Sequence, residues 1–268
     1  MIPLRDNIPA RTFPFVNYAF IGICAFVFFL QVRDEGEGSR LVEQYGMIPA
    51  RVSDPAAEIE IPVYARDPEG NVLRDRAGRP IETTHPAAPS PAPAWATLVT
   101  CIFLHGGWLH FLGNMWFLYI FGDNVEDRFG HVGYAIFYLA MGAAASAAHY
   151  VVNPASPVPT IGASGAIAGV MGGYLLLYPH ARVLAIVPLF VLFYTVVLPA
   201  PIFLGVWFVI QLVQVATVAS EATGVAWWAH IGGFAAGMGV AWILKIMHYL
   251  NPPADGTRPY TTHRVRFR

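Results

Sequence analysis

Three short polar clusters break an otherwise apolar sequence, and each carries residue types suited to acyl chemistry. The first runs from His105-Gly106-Gly107-Trp108 through His110 to Asn114. His110 and Asn114 stand four apart, so on a helix they share one face, and both donate hydrogen bonds. His105 and His110 stand five apart, which does not suit two metal ligands on one helix and argues against zinc. The plain alternative is helix–helix packing or an interfacial histidine. The second cluster is Gly162-Ala163-Ser164-Gly165. A serine in an apolar helix ordinarily bonds back to its own backbone. This one opens an apolar stretch, where the free N–H groups of a helix N-terminus can hold an anion. Its flanking glycines let another backbone approach. The third is Trp227-Trp228-Ala229-His230, followed by Gly233 and Gly237. His230 shares a helix face with Gly233 and Gly237, and the stretch that Ser164 opens mirrors this with Gly165 and Gly169, four apart on one face. If these small-residue faces pack together, His230 reaches Ser164. A satisfied core histidine is the competing reading.

The chemistry that such a set can perform is nucleophilic. Serine becomes a nucleophile only when a base takes its proton. His230 can be that base, and later the acid for a leaving amine. Attack on a peptide carbonyl creates an oxyanion, to which His110, Asn114 and the backbone N–H of Ser164 can donate. No acid lies within reach by sequence to orient the histidine, so the pattern reads as a dyad; Glu221 falls in a loop and is not promoted.

These residues must be positioned by elements that cross a membrane. Of 268 residues, 56% are apolar and only 12% are charged, and the mean hydropathy is +0.50. Soluble domains carry about a quarter charged residues. The net charge is −1 and Lys245 is the only lysine, which leaves no nucleic-acid footprint. Cys24 and Cys101 sit in apolar stretches and imply neither a disulfide framework nor a cysteine metal site.

Apolar runs predict spans at 13–32, from about 108 to 121, and at 134–152, 161–178, 199–219 and 225–247. Residues 123–128 read as a polar loop, and the stretch from 95 to the break at 105–107 as an interfacial segment. The stretch 183–198 is apolar but short and holds Pro188, so it reads as re-entrant, interfacial or buried. The large polar segment 33–94 carries seven arginines and eleven acids. Within it a hairpin is expected, with 61–64 and 72–73 flanking the turn Asp67–Asn71. Six spans put Arg5, Arg11, Arg182, Lys245 and the tail arginines Arg258, Arg264, Arg266 and Arg268 on one side, as the positive-inside rule asks. His110, Ser164 and His230 then lie at one depth, about 5–10 Å below the outer surface. The expected fold is an all-α, six-transmembrane-helix bundle with a large first extracytoplasmic loop. Its parts are an N-terminal segment 1–12, a six-helix unit 13–250 with the loop at 33–107, and a basic tail 251–268.

The combined pattern resembles the rhomboid family of intramembrane serine proteases. His110 and Asn114 match its helix-two histidine and asparagine. Gly162–Gly165 matches its G-x-S-G motif, and Ala229–Gly237 its A-H-x-x-G-x-x-x-G motif. Glu126-Asp127-Arg128-Phe129-Gly130 matches an E-x-R-x-G sequence after helix two, while Met1–Asp6 and Tyr45–Arg51 look like a bacterial branch. The resemblance covers about 13–247. It implies cleavage of single-span membrane proteins near the outer membrane face, without metal or small-molecule cofactor. It also implies residence in a bacterial plasma membrane with both termini cytoplasmic. Two features depart from the family: Ala168 stands where some members stack a tyrosine on the histidine, and the first loop lacks a Trp-Arg pair.

Other readings make different demands. A catalytically inactive relative that binds membrane clients would have lost Ser164 or His230, and both are present. A transporter or channel requires ionisable groups near mid-membrane, deeper than these three sites. Phe203, Trp207 and Phe208 are bulky candidates for a substrate entrance, with lipid exposure preferred for each.

Overall fold

The computed structural model describes residues 1–33, 40–189, 192–217 and 226–252. The tail arginines, Glu221 and the turn around it lie outside the described residues. Strand β1 (Ile2–Asp6) leads into α1 (Phe15–Arg33), and two short helices follow, α2 (Arg40–Tyr45) and α3 (Pro49–Ser53). Strands β2 (Glu60–Tyr64) and β3 (Glu82–Pro86) come next, then α4 (Thr97–Thr100), α5 (Trp108–Val152) and α6 (Ser164–Leu177). The chain closes with β4 (Arg182–Leu189), β5 (Leu192–Pro199), α7 (Ala200–Thr217) and α8 (Trp227–Ile246).

The chain is an integral membrane protein of mostly helical fold. Four helices, α1, α5, α7 and α8, are long and apolar enough to cross a membrane, and α6 is a shorter apolar helix. At 45 residues, α5 is about twice the length that one crossing needs. It breaks at Gly130, whose φ of +69° lies in the left-handed region that favours glycine.

Residues 123–128, expected as a loop, continue the first half of α5 up to this break. Their charges are used by the chain ends. Glu126 accepts the N–H groups of Val16 (3.0 Å) and Asn17 (2.8 Å), capping α1. Asp127 accepts from the N–H groups of Arg11 (2.6 Å) and Thr12 (3.0 Å). Arg128 donates to the Asn251 carbonyl at 2.7 Å, and Asn251 donates back to the Asp127 carbonyl at 2.9 Å. Both ends of the described chain therefore meet at one end of the bundle.

Two small sheets depart from an all-α expectation. The stretch 183–198, expected as re-entrant, interfacial or buried, is a β-hairpin, β4 against β5, with β1 on the free side of β4. Its β-branched residues (Val183, Ile186, Val187, Thr195, Val196, Val197) favour extended backbone. Asp6 of β1 anchors this sheet by accepting from Tyr174 and from Asn124. Burial pushes the Asp6 carboxyl up to about 6.

In the large polar segment, β2 pairs with β3 rather than with 72–73. The turn at Asp67–Asn71 does form, with Arg66 bridging to Val72, and an analogous turn follows at Asp75–Arg79. In each, an aspartate accepts the N–H four residues on, and an arginine donates to a glycine carbonyl. Arg51 and Glu43 hold the end of this segment through Ala88.

The core of the bundle is the contact between α6 and α8. A β-carbon at Gly233 would lie 2.1 Å from the Gly165 carbonyl oxygen, and one at Gly237 would lie 2.0 Å from that of Gly169. Membrane helices hold together by such close packing. Gly237→Val is therefore expected to force the two backbones apart and destabilise the fold by about 3 kcal/mol, the upper end of ordinary overpacking. Thermal unfolding in mild detergent measures it, with Gly239→Ala as the control. A β-carbon at Gly239 meets nothing within 4 Å. Equal melting of the two variants would remove the special role given to Gly237.

Candidate active site

The α6–α8 contact places Ser164 and His230 side by side at the bundle end opposite the chain termini. Ser164 is the first residue of α6, so its N–H has no acceptor within the helix. Before it, Gly162 holds a φ of +120°, and its N–H donates to the Cys101 carbonyl at 2.9 Å. His230 sits one turn into α8. Its Nε2 lies 2.8 Å from the Ser164 Oγ.

His110 and Asn114 face the same cavity from the first turns of α5. The Gly106 N–H donates to His110 Nδ1 at 3.2 Å, so the neutral ring carries its proton on Nε2. That nitrogen lies against Gly162, where a β-carbon would sit 2.7 Å from it and 3.6 Å from the Ser164 Oγ. Asn114 is buried, and its Nδ2 has no hydrogen-bond partner. The cavity has a volume of about 840 Å³, and its lining includes His110, Asn114, Ser164, Gln211, Trp227 and His230. That space accommodates several residues of extended peptide.

His105, in the break before α5, is placed differently. Gln31 of α1 clamps its backbone, accepting from the His105 N–H and donating to its carbonyl, both at 3.0 Å. Its ring is buried, and burial together with neighbouring His110 pushes its pKa down to about 3. Its ring packs edge-on against Phe28 and Phe111. Among the described residues no group of three or more His, Cys, Asp or Glu is placed to hold a metal.

The structure adds Gln211, which the sequence pattern did not single out, and gives Trp207 and Trp227 places beside the histidine. Gln211 of α7 meets His230 from the side opposite Ser164, with its Oε1 2.8 Å from Nδ1. Trp207 and Trp227 flank the imidazole, with ring centroids 5.9 and 5.8 Å away. These three surround the histidine while Ala168 is buried in α6. An amide within an apolar span was the available signal for Gln211, one it shared with Gln214 three residues on, because a polar group in lipid needs a partner. Phe203, Trp207 and Phe208 turn inward rather than toward lipid. Phe203 packs between Phe117 and Phe121, and Trp207 and Phe208 stack on Phe234.

Comparison with known proteins agrees with this architecture. The Rhomboid domain profile matches residues 92–246. The chain belongs to the rhomboid family. Among relatives, a Rhomboid-like protein 11, chloroplastic, of Arabidopsis thaliana is 43% identical over 77 residues, covering 29% of this chain and 27% of its own. RHOMBOID-like protein 4 of the same plant is 33% identical over 162 residues, covering 57% of this chain and 35% of its own. Rhomboid protease GluP of Bacillus subtilis is 41% identical over 81 residues, covering 30% of this chain and 15% of its own. The matched rhomboid segment thus spans well under half of each of these relatives. The family is one of intramembrane proteases, and this rhomboid carries its serine and histidine motifs in order along the chain.

Proposed function

We propose that this rhomboid is a serine endopeptidase that cuts membrane-spanning proteins near the outer membrane face. The observation that carries this reading is the 2.8 Å contact of His230 Nε2 with Ser164 Oγ on the wall of a peptide-sized cavity. In this reading Ser164 attacks the scissile carbonyl while His230 takes its proton. The oxyanion receives hydrogen bonds from the Ser164 N–H, from His110 Nε2 and from Asn114 Nδ2. Collapse expels the amine, protonated by His230, and leaves an acyl-serine. Water activated by the same histidine then hydrolyses the ester and frees Ser164. A helical substrate hides its carbonyl in backbone hydrogen bonds, so the cut segment must unwind before it enters.

The same reading covers topology. Residues 13–250 form a six-crossing unit, with α5 counted twice across Gly130, the 33–107 segment outside and the basic 251–268 tail inside. The meeting of both described chain ends at Asp127 and Arg128 supports an even number of crossings. Arg5, Arg11, Arg182 and Lys245 then face the cytoplasm of a bacterial plasma membrane. Lipid and transmembrane substrates are the partners, with neither metal nor cofactor in the reaction.

A fluorescent fluorophosphonate tests the proposal without a known substrate. Purified wild type in mild detergent is expected to label, and Ser164→Ala and His230→Ala are expected not to. Folded wild type that stays unlabelled, also in lipid, would favour a client-binding relative without peptidase activity. Labelling that survives Ser164→Ala would assign the nucleophile elsewhere.

A further inference from the structure

We infer that Gln211 is the positioning residue of this site, a neutral third member that sets the tautomer of His230 from α7. The inference rests on the proposed Ser164–His230 chemistry and extends it. Its first step is the orientation of the amide. Gln211 Nε2 donates to the Trp207 carbonyl at 3.1 Å. A carbonyl cannot donate, so that end of the amide must be nitrogen and the end facing His230 must be oxygen. An amide oxygen only accepts. The partner 2.8 Å away, His230 Nδ1, therefore carries the ring proton. Nε2 is left with its lone pair, and it faces the Ser164 hydroxyl at 2.8 Å. The base is thus oriented for proton abstraction before any substrate arrives.

The surroundings make this assignment specific. Gln211 is 5% exposed, held between the Trp207 carbonyl and His230. Among the described residues, its bond to His230 is the one side-chain hydrogen bond that leaves α7 for another helix. α7 is in this way part of the catalytic assembly as well as a wall of the cavity. The titratable groups facing His230 are His110 and His149, one near each end of α5. α6 presents Ser164, and α7 presents the uncharged Gln211. No carboxylate among the described residues hydrogen-bonds the imidazole, so the ring gains a dipole on one side and no counter-charge.

Two substitutions separate positioning from packing. Gln211→Leu keeps the bulk and removes the acceptor. The fluorophosphonate labelling rate is expected to fall about 10- to 100-fold, less than the roughly 10⁴-fold loss seen when a wrong tautomer is locked in place. Gln211→Glu restores an acceptor and adds a negative charge. Labelling is expected to recover at alkaline pH, and the acid limb of its pH profile is expected to move up by about 1–3 units, because an adjacent carboxylate favours imidazolium. A purely structural glutamine would not move that limb. ¹⁵N NMR of histidine-labelled protein reads the tautomer directly, with His230 assigned by the signal missing from His230→Ala. Wild type is expected to show a protonated Nδ1 and an unprotonated Nε2, and Gln211→Leu to lose that preference. The opposite tautomer in wild type would overturn the inference. So would rates and pH profiles that match wild type in both variants. Wild type that fails to label yet shows the Nδ1–H tautomer would sink the peptidase reading and leave the positioning assignment standing.

Discussion

Ser164→Ala, His230→Ala and the double variant are expected to lose peptidase activity by nearly the same factor, on the order of 10⁴–10⁶ in kcat. The equality is the informative part. A serine hydroxyl without its base is barely nucleophilic, and a base without its serine has nothing to activate. The 2.8 Å contact between Oγ and Nε2 makes the pair one chemical unit. Two independent contributions would multiply, and the double variant would fall far below either single one. The residual rate comes from the oxyanion donors and from substrate positioning, which all three variants keep. A transmembrane reporter cleaved in proteoliposomes measures kcat, and near-wild-type melting temperatures show that the loss is chemical. Retention of a tenth or more of activity by His230→Ala, with Ser164→Ala dead, would mean that another group takes the proton.

Some of this was legible in the sequence and some was not. Small residues at Gly165, Gly169, Gly233 and Gly237 with helical spacing suffice to suggest that two helices meet closely, and the structure brings those faces into backbone contact. Helical spacing also puts His110 and Asn114 on one face, and both line the cavity. Gln211 carried no pattern, because the hydrogen bond to His230 joins residues nineteen positions apart on different helices. The hairpin at 182–199 was hidden for a different reason. An apolar run long enough for a short span gives no periodicity that separates helix from strand. β4 also needs β1, whose pairing across Ile2–Ile186 is set by the tertiary fold. The charged stretch 123–128 looked like a loop because charge in an apolar chain usually marks one. Here Glu126 and Asp127 are satisfied by the N–H groups that precede and open α1, so the helix continues through them. In each miss the deciding interaction was long-range.

Asn114→Ala is expected to lower kcat about 10²- to 10³-fold, the usual loss of one oxyanion donor, while leaving the melting temperature unchanged. The two halves of this expectation share one cause. Asn114 is 8% exposed and its Nδ2 has no partner. No other described residue ties this amide nitrogen in the resting site, so the fold loses no protein hydrogen bond when it is removed. An oxyanion forming beside Ser164 would satisfy it, so its interaction belongs to the transition state and raises kcat rather than substrate affinity. Truncation removes the catalytic bond and no protein bond of the resting state. His110→Ala tests the neighbouring donor and has a different signature. Its Nδ1 already accepts from the Gly106 N–H, so removing the ring also frees the loop that leads into α5. A loss of similar size in kcat is expected there, together with a lower melting temperature. The measurements are kcat and KM on the reporter, with thermal unfolding of the same preparations. Asn114→Ala that keeps kcat within about threefold would remove Asn114 from the oxyanion site. A parallel fall in activity and melting temperature would make it a packing residue, and the donors would reduce to His110 and the Ser164 N–H.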